Sequence, residues 1–561
     1  MDAYDVPRDR SGFAREMSTY DVFVFNVLGY SMGVAIATNA TFIGGFAPRA
    51  ELWVVVTFGL LVALFNGYTY GCFSACLPHN GGDYVFVEST FGRGLGFVAN
   101  FGFTISQIYG LALVSGWTVS AAIVPALTTY GLVAHRPALV ALGEHLSTQE
   151  ATIVGGTLLL LLIMAITAMG TRPVRLLLNV IFAIAFASTI ALAVVMINAE
   201  HGDFVVRFNA FMASHGGGSD AYEAILRSWE ARGGVLNAPA SIWESMRAVP
   251  LGFLLFLGFT YSVYVGSEVR KPAKSQSRGI MLALFAGYCV FALVLWRYSV
   301  VVGRDFNAAI GNPDVLREHP LPAGTSMIFF AGLLTSSEPI NLLLNIGSVL
   351  WFAILPFVIV QVCVRNVHAW SLDSILPERL ATLTARRQAP VFAATAVVVV
   401  GWILLMVTNV FGITLVGAVA LSAVCFFITA CAAVAYPSRR PTDFALAPRL
   451  ARRDVLGVPI MAVCGALSAI CFAFILYVAV WYPQVSMGTR GGTLIMIAIV
   501  YGAGSLWYIG RMRWLHQRRA RAFSKGEVPR LNWTVQSLTA AGEGTATAAA
   551  DPEGGAPPAH A

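Results

Sequence analysis

The chain has 561 residues, of which 57% are hydrophobic and only 12% are charged. A soluble globular domain carries roughly a quarter charged residues, so this composition excludes an ordinary soluble protein and places most of the chain in lipid. The formal net charge of +7 comes with basic loops between apolar segments, so it gives no reason to infer a nucleic-acid partner.

Apolar stretches of about 20 residues, the length that crosses a hydrocarbon core, recur along the sequence. We predict twelve membrane-spanning segments, at residues 21–44, 51–76, 94–127, 151–169, 174–198, 248–268, 279–302, 339–369, 391–411, 412–436, 456–482 and 490–510. The predicted fold class is therefore an all-α polytopic membrane protein. The first twenty residues are polar. This polar segment is longer than the short charged region that begins a signal peptide, which argues against a cleaved signal peptide.

Positive charges mark one set of alternate connections. Most of the 36 lysines and arginines lie in the two tails and in the loops around residues 172–175, 270–278, 365–387 and 439–453. We call this the basic side of the protein. Because cytoplasmic loops carry an excess of Lys and Arg, we expect the basic side and both termini to face the cytoplasm across a cell membrane.

The order of spans and loops suggests six regions. They are a cytoplasmic tail at 1–20, a first half at 21–198 with spans 1–5, an extracellular loop at 199–248, a second half at 249–436 with spans 6–10, a region at 437–510 with a basic loop and spans 11–12, and a tail at 511–561 that is basic and then disordered. The tail is expected to be disordered from about residue 537 because it is rich in Ala, Gly, Pro and Thr.

The long connection at 199–248 carries its own helical signal. Asp220 and Glu223 are spaced as a capping box, apolar residues follow at helical spacing, and Gly233 and Gly234 are expected to end the helix. The helix is either an outer lid or an element that rests on the bundle or the lipid headgroups. A second apolar patch, at 327–330, leaves the same two alternatives open.

Several chemistries find no support in the sequence. All eight cysteines lie inside or at the ends of spans, so a disulfide framework is not expected, and no Cys/His spacing indicates a metal. No Ser/His/Asp grouping, Walker loop or dinucleotide fingerprint is present, so we expect neither an enzyme nor an ATP-driven pump, and no cofactor.

Three motifs follow one another along the chain. The first, Pro78-His79-Asn80-Gly81-Gly82-Asp83-Tyr84-Val85-Phe86-Val87, comes between spans 2 and 3 and precedes a Gly-Arg-Gly-Leu-Gly-Phe stretch at 92–97. The second joins Gly258-Phe259-Thr260-Tyr261 to Glu268-Val269-Arg270-Lys271-Pro272. The third runs from Arg365 to Pro377 and is followed by Pro390-Val391. Together they resemble the signatures of the amino acid–polyamine–organocation (APC) superfamily, in its prokaryotic amino acid permease type.

This resemblance implies an inverted repeat of five plus five helices with two added helices. It also implies secondary transport of an amino acid by alternating access. The sequence supports the repeat independently, because spans 1 and 6 both carry glycine-interrupted centres, at 26–33 and 258–262. Paired interruptions in corresponding helices indicate a binding site near the midplane. The alternative is close packing of helices through small residues.

A broken helix offers free backbone groups to a ligand. The half-helix that begins near Gly29 to Gly33 would present N–H groups to an α-carboxylate, and carbonyls near Gly258 would meet an α-ammonium. The candidate substrate-binding residues are Gly29, Tyr30, Ser31, Met32, Gly33, Gly258, Phe259, Thr260 and Tyr261. The sequence departs from the Gly-Ser-Gly pattern usual in the family, so whether Ser31 or Gly33 meets the carboxylate stays open.

The other motif residues are candidate gate elements on the basic side. They are Gly81, Gly82, Asp83, Tyr84, Glu268 and Arg365. We expect them to act in the transport cycle rather than to bind substrate, because they lie far from the centres of the spans. Asp83 is expected to pair with Arg365 or Arg270 when this side closes.

Charge is scarce near the predicted midplane. No Asp, Glu or Lys lies there, so a neutral amino acid is expected, and a polyamine or cationic amino acid is the alternative. Arg297 is the exception, and it either extends outward or lines an outer vestibule.

The coupling partner stays open. Ala185 stands where proton-coupled relatives can carry a lysine, and Ile354, Leu355 and Pro356 stand where sodium-coupled relatives carry hydroxyls. Three modes of transport therefore stay open: exchange against a second amino acid, uniport, and coupling to protons carried by an unidentified group. A sensor of the same fold that binds without transport is a further alternative.

Overall fold

The computed structural model describes residues 13, 15–384, 389–411, 418–482 and 489–524. Helices dominate this part of the chain. They are α1 (Thr19–Tyr30), α2 (Met32–Phe46), α3 (Leu52–Cys76), α4 (Asp83–Phe91), α5 (Arg93–Trp117), α6 (Val124–Val133), α7 (Pro137–Leu146), α8 (Gln149–Thr167), α9 (Thr171–Asn198), α10 (His201–Ser214), α11 (Ala221–Ala231), α12 (Ile242–Arg247), α13 (Val249–Leu254), α14 (Pro272–Val301), α15 (Arg304–Ile310), α16 (Pro313–Glu318), α17 (Met327–Leu334), α18 (Glu338–Leu372), α19 (Val391–Val410), α20 (Ala418–Arg439), α21 (Pro441–Ala445), α22 (Arg449–Arg452), α23 (Ile460–Trp481) and α24 (Arg490–Ser524).

Shorter elements complete the chain. A π-helical turn at Thr118–Ile123 joins α5 to α6, and 3-10 turns lie at Tyr261–Tyr264, Gly266–Glu268 and Glu378–Ala381. The strands β1 (Asp454–Val455) and β2 (Val458–Pro459) form an antiparallel hairpin before α23. The chain divides into two compact units, Met1–Ser505 and Leu506–Ala561. The described part of the second unit is helical.

Eleven helices in the described part of the chain are long and apolar enough to cross a membrane, which confirms the all-α polytopic class. They are Thr19–Ala37, Leu52–Cys76, Arg93–Val133, Gln149–Thr167, Pro173–Asn198, Pro272–Val301, Glu338–Leu372, Val391–Val410, Val419–Arg439, Ile460–Trp481 and Arg490–Arg518. The predicted span at 248–268 is not among them, because it breaks into α13 and a series of turns. The predicted start of the tenth span, at 412–417, lies outside the described residues.

Two sets of packed helices in the first unit frame the helix breaks. In the first helix group, α14 packs along α3 and α1, and α13 packs on α3. In the second helix group, α5 packs against α18, α19 and α8. The break in span 1 and the broken segment after α13 lie where the first helix group meets α18.

The outer connections form a packed layer of short helices. The ring of Tyr222 in α11 stacks on Phe306 of α15 at 4.5 Å, and its hydroxyl donates to the Val302 carbonyl at 3.0 Å. The predicted helix is confirmed, but the predicted capping box is wrong, because the Asp220 carboxylate accepts from Arg227 and not from the helix backbone. The helix therefore packs on the other outer connection.

Candidate substrate site at two helix breaks

The first break is a single left-handed residue. Helix α1 ends at Tyr30, Ser31 has φ +45°, and α2 begins at Met32. A positive φ is uncommon outside glycine, so this residue is held by its surroundings. The Ser31 hydroxyl donates to the Trp351 carbonyl in α18 at 2.8 Å. The first N–H groups of α2 consequently carry the partial positive charge of a helix start at this point.

The second break is longer. After α13 the chain makes tight turns, in which the Phe259 N–H donates to the Phe256 carbonyl at 3.0 Å and the Tyr261 N–H donates to the Gly258 carbonyl at 3.0 Å. Gly258 has φ +115°, which only glycine adopts at low cost. Regular α-helix resumes at Pro272.

The two breaks touch each other. A Cβ on Gly258 would lie 2.2 Å from the Gly29 carbonyl oxygen, and a Cβ on Gly29 would lie 2.7 Å from the Gly258 carbonyl oxygen. Both positions therefore require glycine for close approach of the two backbones. The structure brings together the two predicted sets of residues, 29–33 and 258–261.

The side chains around the breaks are packed against protein. Tyr30 donates to the Ala283 carbonyl at 2.9 Å, so its hydroxyl is engaged by α14. Met32 and Phe259 are fully buried. A Cβ on Gly33 would lie 2.5 Å from the Trp351 ring. The two breaks are therefore packed closely together in this conformation.

Buried amides hold the unwound backbone, and their role was not predicted from the sequence. Asn26 Oδ1 accepts from the Ser262 N–H at 2.9 Å, and Gln276 Nε2 donates to the Ser262 carbonyl at 2.8 Å. Gln107 of α5 accepts from the Tyr261 hydroxyl. Broken backbone at membrane depth needs such partners. An amide in the middle of an apolar span was the available signal, at Asn26 and at Gln107.

The first motif docks on the end of the broken segment. The Gly81 N–H donates to the Tyr264 carbonyl at 3.2 Å, and Asn80 forms a bridge with Val265. Gly82 has φ +48°, and a Cβ there would lie 2.7 Å from the Tyr264 ring. The motif is thus an interface with the second break rather than an exposed turn.

In this conformation Asp83 does not pair with either of the arginines predicted to meet it when the basic side closes. Asp83 begins α4 and is fully buried, and its carboxylate accepts from the hydroxyls of Tyr70, Tyr264 and Thr429. Arg270 is exposed and instead donates to a backbone carbonyl. The Asp83 carboxylate therefore contacts hydroxyl groups, and the two arginines contact other partners. Tyr84, next in the chain, donates to Asp373 at the end of α18.

Arg365 pairs with Glu268. Arg365 Nη2 and Nε lie 3.0 Å and 3.1 Å from Glu268 Oε1, and the two side chains are 5% and 8% exposed. The backbone carbonyl of Glu268 also accepts from the N–H groups of Glu16 and Met17, each at 2.8 Å. Glu268 therefore ties the N-terminal segment, the end of the broken segment and α18 together.

A cavity opens next to this ion pair. It is a cleft that is partly open to solvent. Its wall includes Val24 of α1, Asn179 of α9, Gln361 of α18, and the Glu268–Arg365 pair. The cavity lies among elements that border the basic side. Two predicted gate residues thus line a cavity, whereas Asp83 does not.

Arg297 has a structural role that the sequence did not suggest. Its guanidinium donates to the carbonyls of Met196, Ile197 and Ala199 at 3.0, 3.2 and 2.7 Å. These carbonyls end α9, where a cation stabilises the helix C-terminus. Arg297 therefore caps a neighbouring helix.

Comparison with known proteins agrees with this architecture. The amino acid permease family profile matches residues 17–504. An uncharacterized transporter of Mycobacterium bovis is 24% identical over 316 residues, which cover 56% of this chain and 58% of the relative. An uncharacterized transporter of Mycobacterium tuberculosis matches to the same extent. The match thus spans less than two thirds of these relatives. Since the family profile covers nearly the whole chain, the protein is a multi-pass membrane protein that belongs to the amino acid permease family.

Proposed function

We propose that the protein carries a neutral amino acid across the cell membrane by alternating access, with its basic side in the cytoplasm. The observation that carries this proposal is the direct backbone contact between Gly29 and Gly258. Two helix interruptions that meet inside a membrane bundle supply free backbone dipoles at one point, which suits a zwitterionic ligand.

The substrate site lies between the two breaks. The start of α2, at Met32 and Gly33, provides N–H groups for the α-carboxylate. Carbonyl groups near Gly258 accept from the α-ammonium. Phe259 closes the site from the second break, and its apolar ring suits an uncharged substrate side chain. Ser31, whose hydroxyl is engaged by Trp351, changes partner when the carboxylate binds.

The preference for a neutral substrate follows from the polar groups around the breaks. In the described part of the chain, the side-chain hydrogen bonds of the predicted substrate residues go to backbone carbonyls and to the Gln107 amide, and none goes to a charged group. An unpaired cation at membrane depth costs at least about 2.5 kcal/mol. That cost corresponds to roughly a hundredfold in affinity.

The Glu268–Arg365 pair acts as the gate of the basic side. It joins the end of the broken segment to α18 of the second helix group. The cavity beside the pair is the path by which substrate leaves to the cytoplasm. Widening this path requires the pair to separate.

Uptake into proteoliposomes tests the proposal. We expect labelled leucine, alanine or phenylalanine to accumulate or exchange, and excess arginine or putrescine to compete at least about a hundredfold more weakly. Phe259→Ala should raise the half-saturating concentration. Phe208→Ala is the matched control, because Phe208 is equally buried but belongs to an outer helix. Strong competition by putrescine or arginine with none by neutral amino acids would instead favour a polyamine or cationic amino acid permease.

A further inference from the structure

Asp83 lies in a buried cage of hydroxyl groups. Oδ1 accepts from the Thr429 hydroxyl at 2.8 Å and from the Tyr70 hydroxyl, and Oδ2 contacts the Tyr264 hydroxyl. The Cys425 thiol is a further hydrogen-bond partner. Asp83 itself has no accessible surface. Several elements therefore enclose one carboxyl group: α3, α20 and the turn at Tyr261–Tyr264.

No cationic side chain from the described residues takes part in the cage. Within the described residues, no lysine, arginine or histidine forms an ion pair with Asp83. The titratable groups that face it are Tyr70 from α3, Tyr264 from the turn, Cys425 from α20 and Tyr501 from α24. All of them are neutral when protonated. Burying a carboxylate without a cationic partner raises the free energy of the protein, and such a group usually takes up a proton and becomes neutral.

Burial and hydrogen bonding act on this carboxyl in opposite directions. Loss of water raises the pKa of Asp83, and the donors Tyr264, Tyr70 and Thr429 lower it, with burial the larger cause. The balance leaves the pKa of Asp83 above its ordinary value. Charge on this group therefore depends on whether water or protein surrounds it.

One wall of the cage belongs to the broken segment. Tyr264 follows the second break in the chain, and its ring stacks on Phe103 of α5 at 5.1 Å. The Gly81 N–H also binds the Tyr264 carbonyl. A movement of this segment would pull one wall away from Asp83 and would let water reach it.

We propose that Asp83 is the proton-binding site that couples proton movement to transport by this protein. The proposal rests on the transport function proposed above. In the described conformation Asp83 is the neutral acid, and the Tyr264 hydroxyl donates to its Oδ2. When the Tyr261–Tyr264 segment moves away, the O–H bond breaks and the proton passes to a water molecule. The carboxylate left behind accepts hydrogen bonds from water and from the remaining hydroxyls.

The pH dependence has a definite sign. Because the pKa of Asp83 is raised in the packed cage, acid stabilises the packed conformation. This stabilisation is lost as the pH rises through that raised pKa. Acidic medium should therefore favour the described conformation and alkaline medium the conformation with water in the cage.

Infrared spectroscopy of the purified protein tests the proton directly. We expect the carbonyl band of a protonated carboxylic acid to persist at pH values where exposed aspartates are ionised, and to disappear in Asp83→Asn. Asp443→Asn is the matched control, because Asp443 is exposed on the same basic side. If the wild-type spectrum lacks this band at pH values above the ordinary aspartate pKa, the proposal is overturned. This outcome does not depend on whether a substrate is known.

Transport measurements test the coupling. In proteoliposomes with a pH-sensitive dye, substrate uptake by the wild type should carry protons into the lumen. Asp83→Asn should lose the proton flux and the stimulation by a pH gradient, while substrate exchange continues at a reduced rate. Equal proton flux in the variant, or wild-type transport that ignores the pH gradient, would overturn the proton site. If no amino acid is transported, that result counts against the proposed function instead. The infrared experiment would then still show whether Asp83 is protonated.

A second variant covers the case in which Asp83→Asn does not fold. Tyr264→Phe keeps the ring stacked on Phe103 but removes one hydroxyl from the cage. Losing a donor to the carboxylate should move the pH profile of transport by about one unit toward alkaline pH. Tyr477→Phe, at an exposed tyrosine, is the control. A purely structural role for the cage predicts lower stability with an unshifted pH profile, and that result would also overturn the proposal.

Discussion

Neutralising Glu268 probes the gate of the basic side. In Glu268→Gln the shape of the side chain is kept, but the Arg365 guanidinium loses its carboxylate while only 5% exposed. Two charges 3.0 Å apart attract by about 5 to 6 kcal/mol at an effective dielectric constant of about 20, and desolvation offsets much of this gain. Removing one partner of a buried pair still costs about 3 to 5 kcal/mol, because the other charge stays buried.

The expected result is a strong coupling between the two residues. Glu268→Gln and Arg365→Met should each lower the free energy of unfolding by about 3 kcal/mol. The double variant should lose little more than either single variant, because it leaves no unpaired charge. The coupling energy is then about 2 to 3 kcal/mol. Unfolding of the purified protein in mixed micelles, followed by intrinsic fluorescence, measures all four proteins.

The pair Asp220 and Arg227 serves as the control cycle. Both side chains are 61% exposed, so their coupling should stay below about 1 kcal/mol. Additive losses for Glu268→Gln and Arg365→Met, or a coupling no larger than in the control cycle, would refute the reasoning. Either result would mean that the buried pair does not hold the described conformation together.

Two further predictions concern a helix cap and the contact between the breaks. Arg297→Met should lower the free energy of unfolding by about 1 to 2 kcal/mol, because the carbonyls at the end of α9 lose a cationic donor. The control Arg317→Met, at a surface ion pair, should change the free energy of unfolding by less than about 0.5 kcal/mol. Thermal unfolding in detergent measures both, and equal effects would contradict the capping role. Gly258→Ala should destabilise the protein by more than about 1 kcal/mol, since a Cβ would lie 2.2 Å from the Gly29 carbonyl oxygen. The control Gly502→Ala should be neutral or stabilising, because the space around Gly502 is open. An unchanged unfolding free energy in Gly258→Ala would show that the breaks do not touch.

The positions of the helix breaks were predictable because they depend on local chemistry. Glycine weakens a helix wherever it stands, so Gly29, Gly33 and Gly258 indicated interruptions without knowledge of their neighbours. The reason for each glycine was not predictable. Gly33 faces the Trp351 ring, and a leucine at Gly33 or Gly258 would clash with the protein itself.

The partners of charged residues were predicted poorly. The sequence placed Asp83, Glu268 and Arg365 on one side, but it did not show that Glu268 reaches Arg365 while Asp83 turns toward tyrosines. Such choices depend on which faces of distant helices meet, and local patterns carry no information on that. The nine-residue helix that begins at Asp83 was missed for a related reason, since a Gly-Gly pair indicates a turn and says little about the conformation of the next residues.

The most direct test of the substrate site is an experimental structure with a transported amino acid bound. Cryo-electron microscopy of the protein in nanodiscs with a saturating neutral substrate should show density between Ser31 and Phe259, with the two breaks further apart than here. The substrate carboxylate should face the start of α2. Density confined to the cavity beside Arg365, with the Gly29–Gly258 contact intact, would contradict the proposed site.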